Sequence, residues 1–333
     1  MPGTTSGVSI SSPFIIQEKS VYIPDAGLYL DSRKRKPLGF ISHAHADHCA
    51  RHTQIICSPP TAELLQVRYK NPNSTSIAFE EQFSLQKTEI MLYPAGHVLG
   101  SAQILISSAG GRLLYTGDFN AGASRTAEPF KLCTCDILIM ETTYGNPVYR
   151  FPAKESVEDQ LLTTIRIKMR DGLTPVIFAY PLGKAQEVLH LLSHNDIPVA
   201  VDYSIIKIVK VYQKYGISFG TFEKLRRSDF RGRTLLLPVG ARFQKFVQEM
   251  QKKYTFYLSG WAMDPSVRFR FRVDRALPYS DHADYDQLLA LVAASGASEI
   301  YCTHGSADFV TILRNEGYSA KVLHPPAQLN LFD

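Results

Sequence analysis

The run Phe40-Ile41-Ser42-His43-Ala44-His45-Ala46-Asp47-His48 puts three histidines and an aspartate within six residues, directly after an apolar stretch. Packing gives no reason for such a concentration, whereas metal binding does. Imidazole is a good ligand for zinc and similar ions, and a carboxylate supplies a harder oxygen. Alternate residues of an extended segment share one side, so His43 and His45 are expected to grip one ion. Asp47 and His48, past the turn, are then expected to face a second. A plain surface cluster of histidines is the competing reading, and further donors weaken it. His97 in Ala95-Gly96-His97-Val98, Asp118 in Tyr115-Thr116-Gly117-Asp118 and His304 in Tyr301-Cys302-Thr303-His304 each follow a strand-like run. Alone, each reads as a turn or cap residue. With the cluster they make two sites of about four ligands each, with an aspartate able to bridge. Two adjacent divalent ions make water a nucleophile at neutral pH and neutralise charge developing on a phosphoryl or carbonyl oxygen. The leaving group then needs a proton. His282, in Ser280-Asp281-His282-Ala283-Asp284, is the candidate general acid.

Those side chains need a scaffold of strands. Turn residues bound expected strands at 20–24, 28–32, 38–43 and 54–58, followed by a short helix at 60–69. Further strands are expected at 76–80, 83–95, 101–108, 112–119 and 136–140. The texture changes after Tyr144. Helical periodicity at 155–170, 183–194 and 204–215 alternates with apolar strands at 175–180 and 198–201. Strands at 234–237 and 255–258 could extend the same sheet. This alternation predicts a parallel α/β unit. Mixed structure then resumes, with strands at 275–280, 299–303 and 320–323 and helices at 285–294 and 307–316. An interrupted and resumed texture predicts an inserted domain.

With 333 residues, 45% apolar and 20% charged, the chain has the balance of a soluble protein with a real core. It holds no run of apolar residues long enough to span a membrane. The Ser/Thr/Gly-rich start, residues 1–12, lacks the features of a signal peptide, so a cytoplasmic location is expected. Five cysteines, an odd and sparse set that includes the Cys133-x-Cys135 pair, are expected as free thiols. The net charge is +5, from 36 Lys and Arg against 31 Asp and Glu. Basic residues gather at 33–36, at Arg226, Arg227, Arg231 and Arg233, and at Arg268, Arg270, Arg272 and Arg275. Each cluster alone reads as a solvated face; the three together fit a polyanionic substrate. In Val267–Arg272 aromatics interleave with arginines, which fits a strand with one basic and one apolar face.

The ligand set resembles the metallo-β-lactamase fold, and specifically its β-CASP branch of nucleic-acid hydrolases, on H-x-H-x-D-H at 43–48 with His97 and Asp118. The resemblance implies an α/β fold: a metallo-β-lactamase αββα sandwich with an inserted α/β β-CASP cap. The expected division is 1–151 and 274–333 for the sandwich and 152–273 for the cap. It also implies metal ligation by His43, His45, Asp47, His48, His97, Asp118 and His304, with Asp31 orienting a ligand from behind. Glu141, after a buried strand, would steady His282. Asp47 and two divalent ions, zinc or manganese, would serve the chemistry. Ala179–Glu187 resembles the start of the cap. Lys184 and Ser280 are expected at a substrate phosphate, although Lys184 reads as well as a solvated lysine. The motifs at 95–103, 280–284 and 303–305 resemble the bacterial DNA-ligase-associated exonucleases. That likeness implies a two-metal phosphodiesterase acting on DNA, a 5′-exonuclease of DNA repair, linked functionally to DNA ligase and helicase. The N-terminal segment is longer than is typical of them, and the cap is small. His304 points instead toward the ribonucleases of the branch, so RNA is the alternative substrate. A small-molecule hydrolase acting on a thioester or lactone is disfavoured by Glu141, His282 and the insert. A non-catalytic binding protein would need no such complete ligand set.

Overall fold

The computed structural model describes residues 13–17 and 20–323, so the 1–12 segment lies outside the described residues. Two six- and seven-stranded sheets face each other. The first runs Ile15–Gln17, Ser20–Ile23, Leu28–Leu30, Leu38–Phe40, Gln54–Cys57 and Ser74–Ser76 in spatial order. The second orders Ala320–Val322, Glu299–Thr303, Ile137–Glu141, Gly111–Tyr115, Ala102–Ser108, Thr88–Pro94 and Gln82–Leu85. Alternate side chains of both sheets meet between them. Leu28, Leu30, Phe40 and Ile56 from the first pack on Ile90, Ile104, Leu113 and Ile139 from the second. The outer face of the second sheet is covered by helices Tyr285–Ser295 and Ala307–Asn315 through Leu288, Leu291, Phe309 and Leu313. Helix Pro59–Arg68 covers the first sheet through Leu64 and Leu65. The result is an αββα sandwich.

The third sheet is all parallel, in the order Glu223–Lys224, Val199–Val201, Thr234–Pro238, Thr174–Ala179, Lys253–Leu258, Arg275–Leu277. Both faces are buried, which explains its near-continuous apolar runs. Along Thr174–Ala179, Ile177 and Ala179 face helices Lys154–Arg170, Lys184–Ser193 and Tyr203–Lys214. Val176 and Phe178 face helices Ala241–Gln248 and Val267–Arg270. Arg275–Leu277 is the edge strand of this sheet, so the sheet extends past residue 273, where the sequence reading ended the insert. Leu182, Val211 and Tyr212 of the insert pack into the cluster around Ile41 and Leu65, and so seat the insert beside the metal-ligand loop.

Three local expectations change. Residues 83–95 form a hairpin, Gln82–Leu85 with Thr88–Pro94, because Gln86 takes a left-handed conformation (φ 54°) and turns the chain. The strand expected at 76–80 lies earlier, at Ser74–Ser76. Val267–Arg272 is not a strand: Val267–Arg270 is a single helical turn. Val267 and Phe271, four residues apart, both bury on the third sheet, and Phe271 N–H donates to Val267 O at 3.0 Å. All five cysteines are buried and free, and burial pushes the Cys57 thiol up to about 12. Among the described residues no helix is long and apolar enough to cross a membrane.

Candidate metal centre

Strand Leu38–Phe40 delivers Ile41 to His48 to the top of the sandwich. Asp118 arrives from strand Gly111–Tyr115 through Gly117, whose backbone is left-handed (φ 56°). A Cβ there would lie 2.6 Å from Ser42 Cβ, so only glycine lets the two ligand loops touch. His304 follows strand Glu299–Thr303. Donor atoms of His43, His45, His97 and Asp118 lie within 4.8 Å of one another, and those of Asp47, His48 and His304 do so likewise. Asp118 links the groups: its Oδ2 is 3.6 Å from His43 Nε2 and 3.2 Å from His48 Nε2.

The outward nitrogens of four imidazoles are each committed. His48 Nδ1 meets Asp31 Oδ2 at 2.8 Å. His97 Nδ1 donates to Asp281 O at 2.8 Å, and His45 Nε2 donates to Leu182 O at 3.1 Å. Ser42 Oγ donates to Asp31 Oδ2 (2.6 Å) and therefore accepts from His43 Nδ1 at 3.0 Å. Because these acceptors fix the tautomers, each inward nitrogen carries a bare lone pair whenever its ring is neutral. His45 Nδ1 and His97 Nε2 then face each other lone pair to lone pair at 3.2 Å. His43 Nε2, His48 Nε2 and Asp118 Oδ1 are buried with no hydrogen-bond partner. Buried acceptors converging without donors fit cations, and the mixed nitrogen and oxygen set suits divalent metals.

The electrostatics agree. Burial and the neighbouring imidazoles hold His43 well below its ordinary pKa, and burial together with His282 lowers His97 to about 4. Burial opposes charge on His48 too, but Asp118, Asp47 and Asp31 outweigh it and raise His48 well above its usual value. A proton on His48 stands where a cation is wanted.

Beside this cluster His282 Nδ1 lies 2.9 and 3.1 Å from the two Glu141 oxygens. Glu141 also accepts from Phe119 N–H (2.8 Å) and Thr143 Oγ1 (2.6 Å). Burial pulls His282 down, but the Glu141 charge and hydrogen bond outweigh it and raise it to about 9. Its ring packs 4.4 Å from that of His97. The arrangement can hold divalent ions and offer a proton beside them.

No protein-family model matches the chain. Over 320 residues it is 36% identical to a probable DNA ligase of Opitutus terrae, a match covering 93% of this chain and 31% of that one. It is 32% identical over 207 residues to an RNase J-like protein of Methanocaldococcus jannaschii, covering 53% of this chain and 49% of the other. It is 28% identical over 193 residues to the 5′ exonuclease Apollo of Danio rerio, covering 53% and 34%. The chain belongs to the β-CASP branch of the metallo-β-lactamase family. It spans between 31% and 49% of the length of these relatives. A crystal structure of a protein of unknown function from Enterococcus faecalis shares the fold, with a TM-score of 0.60 at 13% identity over 87% of this chain and 80% of that one.

Several residues of this β-CASP site carry no signal in the sequence. Ser42 and Tyr115 both bond Asp31, the latter at 2.9 Å. Leu182 O and Asp281 O act through backbone carbonyls, which no residue type announces. The Asp281 side chain is buried against Lys184 Nζ at 3.0 Å. Burial opposes its ionisation, yet Lys184 and the nearby imidazoles hold it well below the usual carboxylate range. Lys184 is 9% exposed and ion-paired with Asp281, so it is not the solvated lysine of the competing reading. Ser280 Oγ is likewise taken by its own loop, accepting from His282 N–H at 3.0 Å. Both line, with His97, a narrow cavity with room for about one water.

Proposed function

We propose that this β-CASP chain hydrolyses phosphodiester bonds of DNA, as a 5′-exonuclease on single-stranded or ended substrates, with two divalent ions. The observation that carries the reading is the pair of donor clusters meeting at Asp118 beside the His282–Glu141 pair. His43, His45, His97 and Asp118 would hold one ion, and Asp47, His48 and His304, with Asp118, the other. Zinc suits the imidazoles, and manganese suits the mixed set. Bound there, such ions activate water at neutral pH and draw off charge on the phosphoryl oxygens. His282, whose protonated form Glu141 favours, donates its Nε2 proton to the departing 3′-oxygen as the P–O bond breaks. Glu141 keeps the ring oriented and charged. Water adds to phosphorus, so the product end carries a 5′-phosphate. Identity to a probable DNA ligase and to a 5′ exonuclease supports DNA and the polarity. It also supports a functional link to DNA ligation; a link to helicases rests on the family resemblance alone. The RNA reading is favoured by His304 and by the RNase J-like relative.

The test is cleavage of matched single-stranded DNA and RNA, labelled at either end, with manganese or zinc, by wild type and Asp47→Ala. Stepwise release of mononucleotides from the 5′ end of DNA, lost in the variant, is expected. Internal cuts in RNA with DNA untouched would transfer the assignment to RNA. No cleavage of either, with metal bound, would remove the nuclease reading.

A further inference from the structure

Segment 260–273 starts against the Tyr144 ring beside His282 and ends on an exposed basic turn. The Trp261 ring lies 4.8 Å from that of Tyr144 and 5.2 Å from that of Tyr149, and the Tyr144 ring lies 6.0 Å from that of His282. Eight residues on, Phe269 is 69% exposed, more than any other large apolar side chain described. A lone exposed phenylalanine needs no explanation, but this one is set among arginines. Arg268, Arg270 and Arg272 are all exposed, and none has an ion pair or a side-chain hydrogen bond among the described residues. Arg268 stacks 4.6 Å from the Phe269 ring centre. The nearest acids in sequence are engaged elsewhere: Asp264 accepts from Ser266 N–H and Oγ, and Asp274 from Thr255 N–H and Oγ1. Helix Ala241–Gln248 covers the same face of the third sheet, and there Arg227 lies 4.7 Å from the Phe246 ring centre. Two of the three basic clusters thus reach one face of the insert.

An acidic protein partner could neutralise these arginines, but carboxylates give no flat partner for the exposed Phe269 ring set among them. A polyanion carrying flat bases answers both features, since bases stack on aromatic faces and guanidinium groups pair with phosphates. We infer that Phe269, with Arg268, Arg270 and Arg272, binds the single strand beyond the reacting nucleotide. A base stacks on Phe269 and the arginines take the flanking phosphates. The inference rests on the nuclease reading and adds a binding surface outside the metal centre.

The test uses the full chain. Dissociation constants of the metal-loaded protein for a long single-stranded DNA with non-hydrolysable linkages are measured by fluorescence anisotropy across a salt series. Cleavage of a dinucleotide is followed in parallel on the metal-loaded protein. Phe269→Ala and Phe269→Leu are expected to weaken the long strand by about tenfold, and Phe269→Trp to restore it. Replacing all three arginines with glutamine is expected to reduce the salt slope by about 2. Dinucleotide cleavage stays at the wild-type rate in every variant. Long-strand affinity unchanged in Phe269→Ala, or an unchanged salt slope in the triple variant, overturns the inference. Wild type that cleaves no nucleic acid brings down the nuclease reading instead, so the two failures are separable.

Discussion

Asp31 is the carboxylate on which both halves of the centre hang, and Asp31→Asn isolates that role. Its Oδ1 accepts from Ser42 N–H at 2.8 Å. Its Oδ2 accepts from Ser42 Oγ at 2.6 Å, His48 Nδ1 at 2.8 Å and Tyr115 OH at 2.9 Å. Asparagine has a single acceptor oxygen. With that oxygen in the Oδ2 position, the amide NH2 faces the Ser42 N–H, and one buried donor loses its partner. The reverse orientation sets the NH2 against three donors. Even the better arrangement loses one charge-assisted bond, about 1.5–3 kcal/mol, and leaves the other three weaker. His48 is then held loosely, and so is His43, because Ser42 Oγ no longer has a strong acceptor to fix its own proton. Loss of such an outer contact typically costs about 10–100-fold in metal affinity. The assay is titration of the metal-free protein with zinc against a competing chelator, which resolves the two sites. Asp31→Asn is expected to weaken both. Ser42→Ala is expected to weaken only the site built on His43, because the direct Asp31–His48 contact survives. Full wild-type affinity at both sites in Asp31→Asn, with the fold intact by circular dichroism, would refute the reasoning.

His282→Ala should slow cleavage by about 10²–10⁴-fold and leave the metal content unchanged; loss of metal would make His282 a ligand instead. Glu141→Gln removes the charge that raises His282 to about 9, so the alkaline limb of the pH–rate profile should move to lower pH. The metal-free protein should be acid-sensitive. His97, lowered to about 4, stabilises the fold fully above an ordinary value of 6.5, and that stability is lost as pH falls toward 4. The loss is worth at most about 3 kcal/mol, read from urea unfolding at neutral and acid pH. Gly117→Ala should destabilise by about 2 kcal/mol or more and reduce bound metal, because its Cβ meets Ser42 and its φ is left-handed; calorimetry and metal analysis check both.

What the sequence made legible is what residue type alone can carry. The ligands were readable because four of them sit within six residues and the others end apolar strands. The βα alternation after Tyr144 was readable because a buried parallel strand is apolar throughout, as in Thr174–Ala179. Contacts made by backbone carbonyls were not: Leu182 O and Asp281 O stand 137 and 184 residues from the histidines they orient. Val267–Arg272 misled because Val267 and Phe271 satisfy a period of two and a spacing of four alike. The turn at Gln86 was hidden because neither glycine nor asparagine marks it.

The Leu182–His45 hydrogen bond makes the insert a participant in metal loading. His45 receives its tautomer from a carbonyl of the insert, and the Lys184–Asp281 pair ties the same loop to the carbonyl that holds His97. A displacement of the insert that breaks these bonds would lower the affinity of an ion held by His45 and His97 as proposed. By reciprocity, an ion bound there would favour the seated insert by the same free energy. If divalent ions bind as proposed, metal occupancy and seating of the insert would be two readings of one equilibrium, and a chelator would loosen the insert as well as remove the chemistry.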